Sequence, residues 1–206
     1  MADSGVYVFE RVQGPGRTSR EVHDATRSTV QSELDACGGH LWGEFNGLFG
    51  VGSNERFVVS WVPEDALEGT SLMWSSAPDI AVLERHVLVP TVRPSSPQPL
   101  SEPGLYVFRF FVVDNVSVDE VTRLSQEAWT TFEATSDYRA EPKALFCQAD
   151  RDAERGVMLL VTWYDGFGSW ETSRQPAPAA RENFLRRHEL THGTIAYATR
   201  LVIGEP

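Results

Sequence analysis

Runs of β-branched and aromatic residues at Val6 to Val12 and at Leu105 to Val113 predict strands. Each run is followed by a hydroxyl–x–x–glutamate tetrad, Thr18-Ser-Arg-Glu21 and Ser117-Val-Asp-Glu120, the pattern of a helix capping box. Behind each tetrad apolar residues recur at helical spacing: Val22, Ala25, Thr29, Val30 and Leu34 in one half, Val121, Leu124, Ala128, Trp129 and Phe132 in the other. Gly38-Gly39 supplies a stop for the first of these helices. Two more strands are expected in each half, joined by polar segments at Gly52 to Glu55 and Asp150 to Gly156. Arg56 to Val62 and Val157 to Tyr164 mark them most clearly. A second helical region with a Leu-x-Arg-His element comes next, then a last strand, best seen at Thr194 to Val202. The order β-α-β-β-α-β is the ferredoxin-like split motif.

The two halves repeat each other. Gly5-Val-Tyr-Val-Phe-Glu10 returns as Gly104-Leu-Tyr-Val-Phe-Arg109, and the tetrads match at the same offset of 99. Val59-Ser-Trp61 answers to Val161-Thr-Trp163, and Leu83-Glu-Arg-His86 to Leu185-Arg-Arg-His188, both at an offset of 102. Four anchors in one order read as an internal duplication, with repeats at 1–93 and 104–206 and a proline-rich linker at 94–103. A sheet with both helices on one side leaves its other face bare, and two such sheets cover each other. The expected fold is therefore α+β: two tandem ferredoxin-like repeats forming a two-sheet barrel with helices outside and a lined cavity. Such a chain supplies both halves itself, so a monomer and a homodimer both remain open.

Composition narrows the partners. The 206 residues carry 18 basic and 29 acidic side chains, a net charge of −11, which disfavours nucleic acid. Lys143 is the only lysine, so no polybasic membrane patch exists, and no apolar run is long enough to span a bilayer. The N-terminal Met1-Ala-Asp-Ser-Gly has no signal-peptide character. Cys37 and Cys147 lack metal-type spacing and read as free thiols of a reducing, cytoplasmic compartment. The near-absence of lysine fits a high-GC bacterial source.

Tyr106-Val-Phe-Arg109, Trp163-Tyr164-Asp165, Phe184-Leu185 and Ala198-Thr-Arg-Leu-Val202 resemble the landmarks of NIPSNAP-like proteins of the dimeric α/β-barrel superfamily. That superfamily includes antibiotic-biosynthesis monooxygenases, polyketide cyclases and haem proteins such as chlorite dismutases. The resemblance implies the intramolecular version of a dimeric α/β barrel. In strand 1 of the first half Glu10 stands where the arginine is expected.

The candidate chemistry is a cofactor-independent acid/base site for a hydrophobic polyketide-like or aromatic substrate, of the cyclase or oxygenase type. His40 precedes Leu41-Trp42 and has no evident counterpart in the second half, which makes it the acid/base candidate. Arg109 is the candidate oxyanion stabiliser. Glu10, Trp42, Asn46, Trp61, Trp163 and Tyr164 are candidate substrate contacts, with Trp61 and Trp163 also suited to packing as symmetry mates. If the helices cover the Tyr7/Phe9 face of the first strand, Glu10 and Arg109 enter the barrel at equivalent positions.

His188-Glu189-Leu-Thr-His192 has the zincin form H-E-x-x-H, but Gly193 and a β-rich run follow at once and no third ligand lies downstream, so no metal is expected. The alternatives are a non-catalytic hydrophobic-ligand-binding protein, a haem protein using His86, His188 or His192, and, last, a zinc hydrolase through His188-Glu189-x-x-His192. No nucleotide-binding motif is present in the sequence.

Overall fold

The computed structural model describes residues 5–203; the N-terminal leader reading therefore falls outside the described residues. The first repeat contains β1 (Gly5–Gln13), α1 (Arg20–Ala25), α2 (Gln31–Ala36), β2 (His40–Phe49), β3 (Glu55–Pro63) and β4 (Ala81–Arg93). The second contains β5 (Leu105–Asp114), α3 (Val118–Phe132), β6 (Ala140–Gln148), β7 (Arg155–Tyr164), α4 (Phe167–Thr172), α5 (Pro178–Glu189) and β8 (Thr191–Leu201). Hydrogen bonding orders the strands β4-β1-β3-β2 and β8-β5-β7-β6, the ferredoxin-like order in both. By internal contacts the chain divides into two units. One runs to Val89 and adds Pro97–Glu102 and the stretch from Thr199; the other comprises Pro90–Ser96 and Pro103–Ala198.

The duplication is exact in register. Tyr7 stands opposite Trp61 and Glu10 opposite Val58; Tyr106 stands opposite Trp163 and Arg109 opposite Leu160. A register shift at Leu41/Gly43 against β3 recurs at Pro142/Ala144 against β7. The glycine that opens β1 and the one just before β5 have a common cause. A Cβ at Gly5 would collide with the Trp61 ring, and one at Gly104, where φ is +154°, with the Trp163 indole and the Tyr164 carbonyl. Gly104→Ala is therefore expected to destabilise the protein by about 1–3 kcal/mol, the usual cost of overpacking. A urea midpoint unchanged by the substitution would disprove that close approach.

The first helical layer shows how sequence spacing sets local geometry. Val22, Thr26, Val30 and Leu34, four residues apart, are all fully buried. At 3.6 residues per turn a four-residue step overshoots by about 40° each time, so the stripe would wind off the sheet. A π-helical stretch at Thr26–Val30, with wider turns, lies between α1 and α2 and corrects the drift. The layer ends in a Schellman motif: Gly39 N–H donates to Leu34 O, Gly38 N–H to Asp35 O, and Gly38 takes φ +77°.

Three sequence expectations change. Neither capping box forms: α1 and α3 start after Ser19 and Ser117, and neither serine side chain caps its helix. Leu83 to His86 lies in strand β4, whereas Leu185 to His188 lies in helix α5, so this fourth anchor is not a structural match. Where the first repeat was expected to have a second helix it has a 3₁₀ segment, Glu64–Leu72.

A fourth change concerns the faces of the sheet. Val6, Val8 and Val12 pack against Val22, Val30, Leu34, Met73 and Trp74, so the helical layer covers the valine face. Tyr7 and Phe9 lie on the opposite face, where Tyr7 meets Trp42 edge-on and Phe9 meets Phe57. Glu10 and Arg109 consequently sit at equivalent positions beneath the helices, not in the barrel interior.

Candidate functional site

The cavity that matters lies within the second repeat, between the β5–β7 sheet and the layer of α3 and α5. It measures about 540 Å³, within the range of small-molecule sites. Alternation along β5 sends Val107, Arg109 and Phe111 into it, and β7 contributes Leu160, Thr162 and Tyr164. Helix α3 supplies Trp129 and Phe132, and α5 supplies Phe184, Arg187 and His188. Arg174 and Arg181 complete a group of four arginines, and no Asp or Glu is among the residues that line the space.

Two of these cations are in unusual surroundings. Arg187 is only 9% exposed; its Nη1 donates to Ser125 Oγ at 3.2 Å, and its guanidinium lies over the rings of Phe111 and Phe184 at 4.9 and 5.0 Å. Its pKa is pushed down to about 10, chiefly by burial and then by the positive charge of Arg109. Arg109 is half-buried and its pKa too is lowered, first by burial and then by Arg174. Among the described residues the Arg109 guanidinium has no hydrogen-bonding or ion-pair partner, while Arg174 Nη2 donates to Tyr164 Oη at 3.2 Å. Like charges gathered under a low-dielectric roof are costly unless an anion joins them.

Of the sequence candidates, Arg109 and Tyr164 meet in this cavity. His40, Trp42, Asn46 and Trp61 belong to the first unit and do not line it. His40 stacks on Trp61 at 5.2 Å, and its Nε2–H donates to Pro97 O. Trp42 is buried against Tyr7, and Asn46 Oδ1 accepts a long bond from Ser19 Oγ at 3.4 Å. Trp163 packs on Gly104, donates from Nε1 to Pro103 O at 3.1 Å and is approached by Arg139 and Lys143. Glu10 is held away from solvent by Trp74 Nε1–H and Arg85 Nη1, at 2.9 and 2.6 Å. His86 packs beside Phe9 and bonds Glu84 Oε1.

The H-E-x-x-H segment is not held on one helical face. Helix α5 ends at Glu189 and β8 begins at Thr191, which puts His188 and His192 on different elements. His192 Nε2 bonds Asp114 Oδ1, and among the described residues no cluster of three metal-binding side chains exists.

Sequence reasoning missed Arg187, Arg174 and the ring of Phe111. Ala180, Phe184 and Arg187 form a four-then-three stripe on α5, so an arginine on the apolar side of a helix was the available signal.

No protein-family model matches the sequence, and no curated protein matches it. Solved structures do. An anthrone oxidase-like protein superposes with TM-score 0.63 at 12% identity, over 96% of this chain and 91% of its own. An uncharacterized ferredoxin-fold protein of Listeria monocytogenes, related to antibiotic biosynthesis monooxygenases, gives 0.54 at 10% identity, over 98% of each chain. A haem-binding protein of Thermus thermophilus gives 0.58 at 12% identity, over 98% and 94%. At such identities the likeness speaks for fold alone. The chain has the ferredoxin-like α/β-barrel fold, with two tandem repeats in one polypeptide.

Proposed function

We propose that this protein is a small-molecule enzyme of the oxygenase or cyclase type, whose flat aromatic or polyketide-like substrate occupies the cavity of the second repeat. The observation that carries this reading is Arg109, an unpartnered guanidinium on the cavity floor beneath the aromatic side chains of α3 and α5. When an acidic C–H of the substrate is removed, charge develops on the conjugated oxygen, and a desolvated guanidinium stabilises it. His188 at the cavity mouth is the base in this scheme. It replaces His40, whose Nε2 is committed to a backbone carbonyl outside the cavity.

In the oxygenase version a CH₂ becomes C=O: O₂ gives one oxygen atom to the product and the other leaves as water, so no external reductant is consumed. The anthrone oxidase-like neighbour makes anthrone the natural probe. Anthraquinone formation above spontaneous oxidation is expected, falling on the order of a hundredfold in Arg109→Gln. Retention of anthrone without product would identify a carrier instead. Neither turnover nor saturable binding would end the proposal.

A second reading is haem, favoured by His188 standing at an arginine-lined aromatic cavity. The residues present fit such a group: His188 could bind the iron, Arg109, Arg174 and Arg181 would meet the propionates, and Phe111 and Phe184 would pack against the ring system. Bound there, haem would supply an iron centre for redox chemistry. Haemin titration decides it: a Soret shift lost in His188→Ala supports haem, and an unperturbed spectrum removes it.

Kinship with the NIPSNAP-like proteins, a bacterial cytoplasmic setting, and a monomeric or homodimeric state belong to the same proposal. They rest on Tyr106 to Arg109 and on composition. Among the described residues no helix is long and apolar enough to cross a membrane.

A further inference from the structure

We propose that the ligand of the second-repeat cavity is an aromatic carboxylate, its acid group held between Arg109 and Arg187 and its ring system packed among Phe111, Trp129, Phe132 and Phe184. The inference rests on reading this cavity as the small-molecule site, and goes beyond that reading by fixing the charge and chemical class of the occupant.

Four observations converge on it. The lining combines four arginines with no acidic residue, in a protein whose net charge is −11, so the positive field is local and not part of a basic surface. Arg187 is withdrawn from water, yet among the described residues its polar and ring partners are a neutral hydroxyl and two rings, with no carboxylate. Arg109 feels Arg174 and Arg187 as repelling neighbours and has no counter-charge among the described residues.

The equivalent position in the first repeat shows what a satisfied version looks like. There the side chain is Glu10, already paired with Arg85. A planar guanidinium fork matches a carboxylate in a two-point contact, which favours that anion over a point-like one. Phosphate alone would leave the four aromatic walls without a partner, whereas an aromatic acid uses both features.

The test compares 2-naphthoate with its neutral isostere 2-naphthamide on the full chain, by calorimetry and by quenching of tryptophan fluorescence, since Trp129 lines the cavity. Naphthoate is expected to bind at least about tenfold more tightly than the amide, as charge-assisted bonds exceed neutral ones. Arg109→Gln should weaken naphthoate far more than the amide, bringing the two to similar affinity. Should Arg109→Gln fail to fold, Arg174→Gln on the exposed side of the cavity should give a smaller loss of the same kind.

Equal binding of acid and amide would overturn the anion assignment and leave the aromatic cavity standing. Displacement of naphthoate by inorganic phosphate at lower concentration would overturn the aromatic-acid class. If neither naphthalene binds, the reading of the cavity as the ligand site fails, and the proposal with it.

Discussion

Glu44→Ala is expected to destabilise the protein by about 3–5 kcal/mol, as removal of one member of a buried ion pair does. Glu44 sits on β2 with its carboxylate fully shielded from water. Arg56 Nη1 donates to one oxygen at 2.7 Å, His23 Nδ1 lies 3.0 Å from both, and Arg27 Nε is 3.5 Å away. Arg56 is itself buried, and burial lowers its pKa against the pull of Glu44. Without Glu44 the Arg56 guanidinium keeps, among the described residues, the backbone and hydroxyl oxygens of Ser19, through Nε.

The network ties β2 and β3 to the first helical layer, so its loss should loosen α1 and the adjoining π-helical turn together. Glu44→Gln, which keeps an acceptor, should cost clearly less. Urea unfolding of the two variants checks the order, and an alanine variant within about 1 kcal/mol of the parent would contradict the shielding of this carboxylate. The exposed trio Arg123, Glu120 and Glu127 is the contrast. Its bonds are short, yet solvent screening leaves such pairs worth little.

Much of the fold was legible because it is written twice. The Gly-x-Tyr-Val-Phe strands and the two tryptophans named the first and third strands of each repeat, and register confirms that Tyr7 and Tyr106 face Trp61 and Trp163. The Leu-x-Arg-His match misled because four residues at a repeat offset carry no information about backbone geometry. One copy has Val82 and Val87 around it and extends as strand; the other follows Pro178 and the helix formers Ala179 and Ala180.

The face assignment was beyond the sequence for a different reason. Both faces of β1 are apolar, Val6 and Val8 on one and Tyr7 and Phe9 on the other, so alternation separates them without saying which meets the helices. Which residues line the site followed from that choice. Arg109 was identified by its position, but Arg187 needed the helix packed above the sheet before its isolation could be seen. His40 drew attention through its asymmetry. Register gives it a counterpart after all, since Glu141 occupies the place opposite Trp163 that His40 occupies opposite Trp61.

Trp74→Ala is expected to cost about 3–5 kcal/mol, the range for truncating a large buried aromatic. Together with Met73, Trp74 packs under the first helical layer, on the same sheet face that carries the cavity in the second repeat. Its indole N–H is bound by Glu10, which burial would otherwise leave badly placed: desolvation raises the Glu10 pKa even against the Trp74 bond and the Arg85 charge. One strand position thus explains why the repeats differ. With glutamate there, an indole and an arginine close the space; with arginine there, no partner arrives from the described residues and the space stays open.

Truncation removes both the ring volume and the donor to Glu10, so the loss should exceed that of Trp74→Phe, which keeps most of the volume. Added indole should restore part of the alanine variant's melting temperature, because a cavity lined by fixed side chains binds the group cut from it. Benzene, which has no N–H for Glu10, should restore less. Equal rescue by both would show that Glu10 does not depend on the indole donor. No rescue by either, with a loss below about 1 kcal/mol, would mean that the segment around Trp74 is not what closes the first repeat.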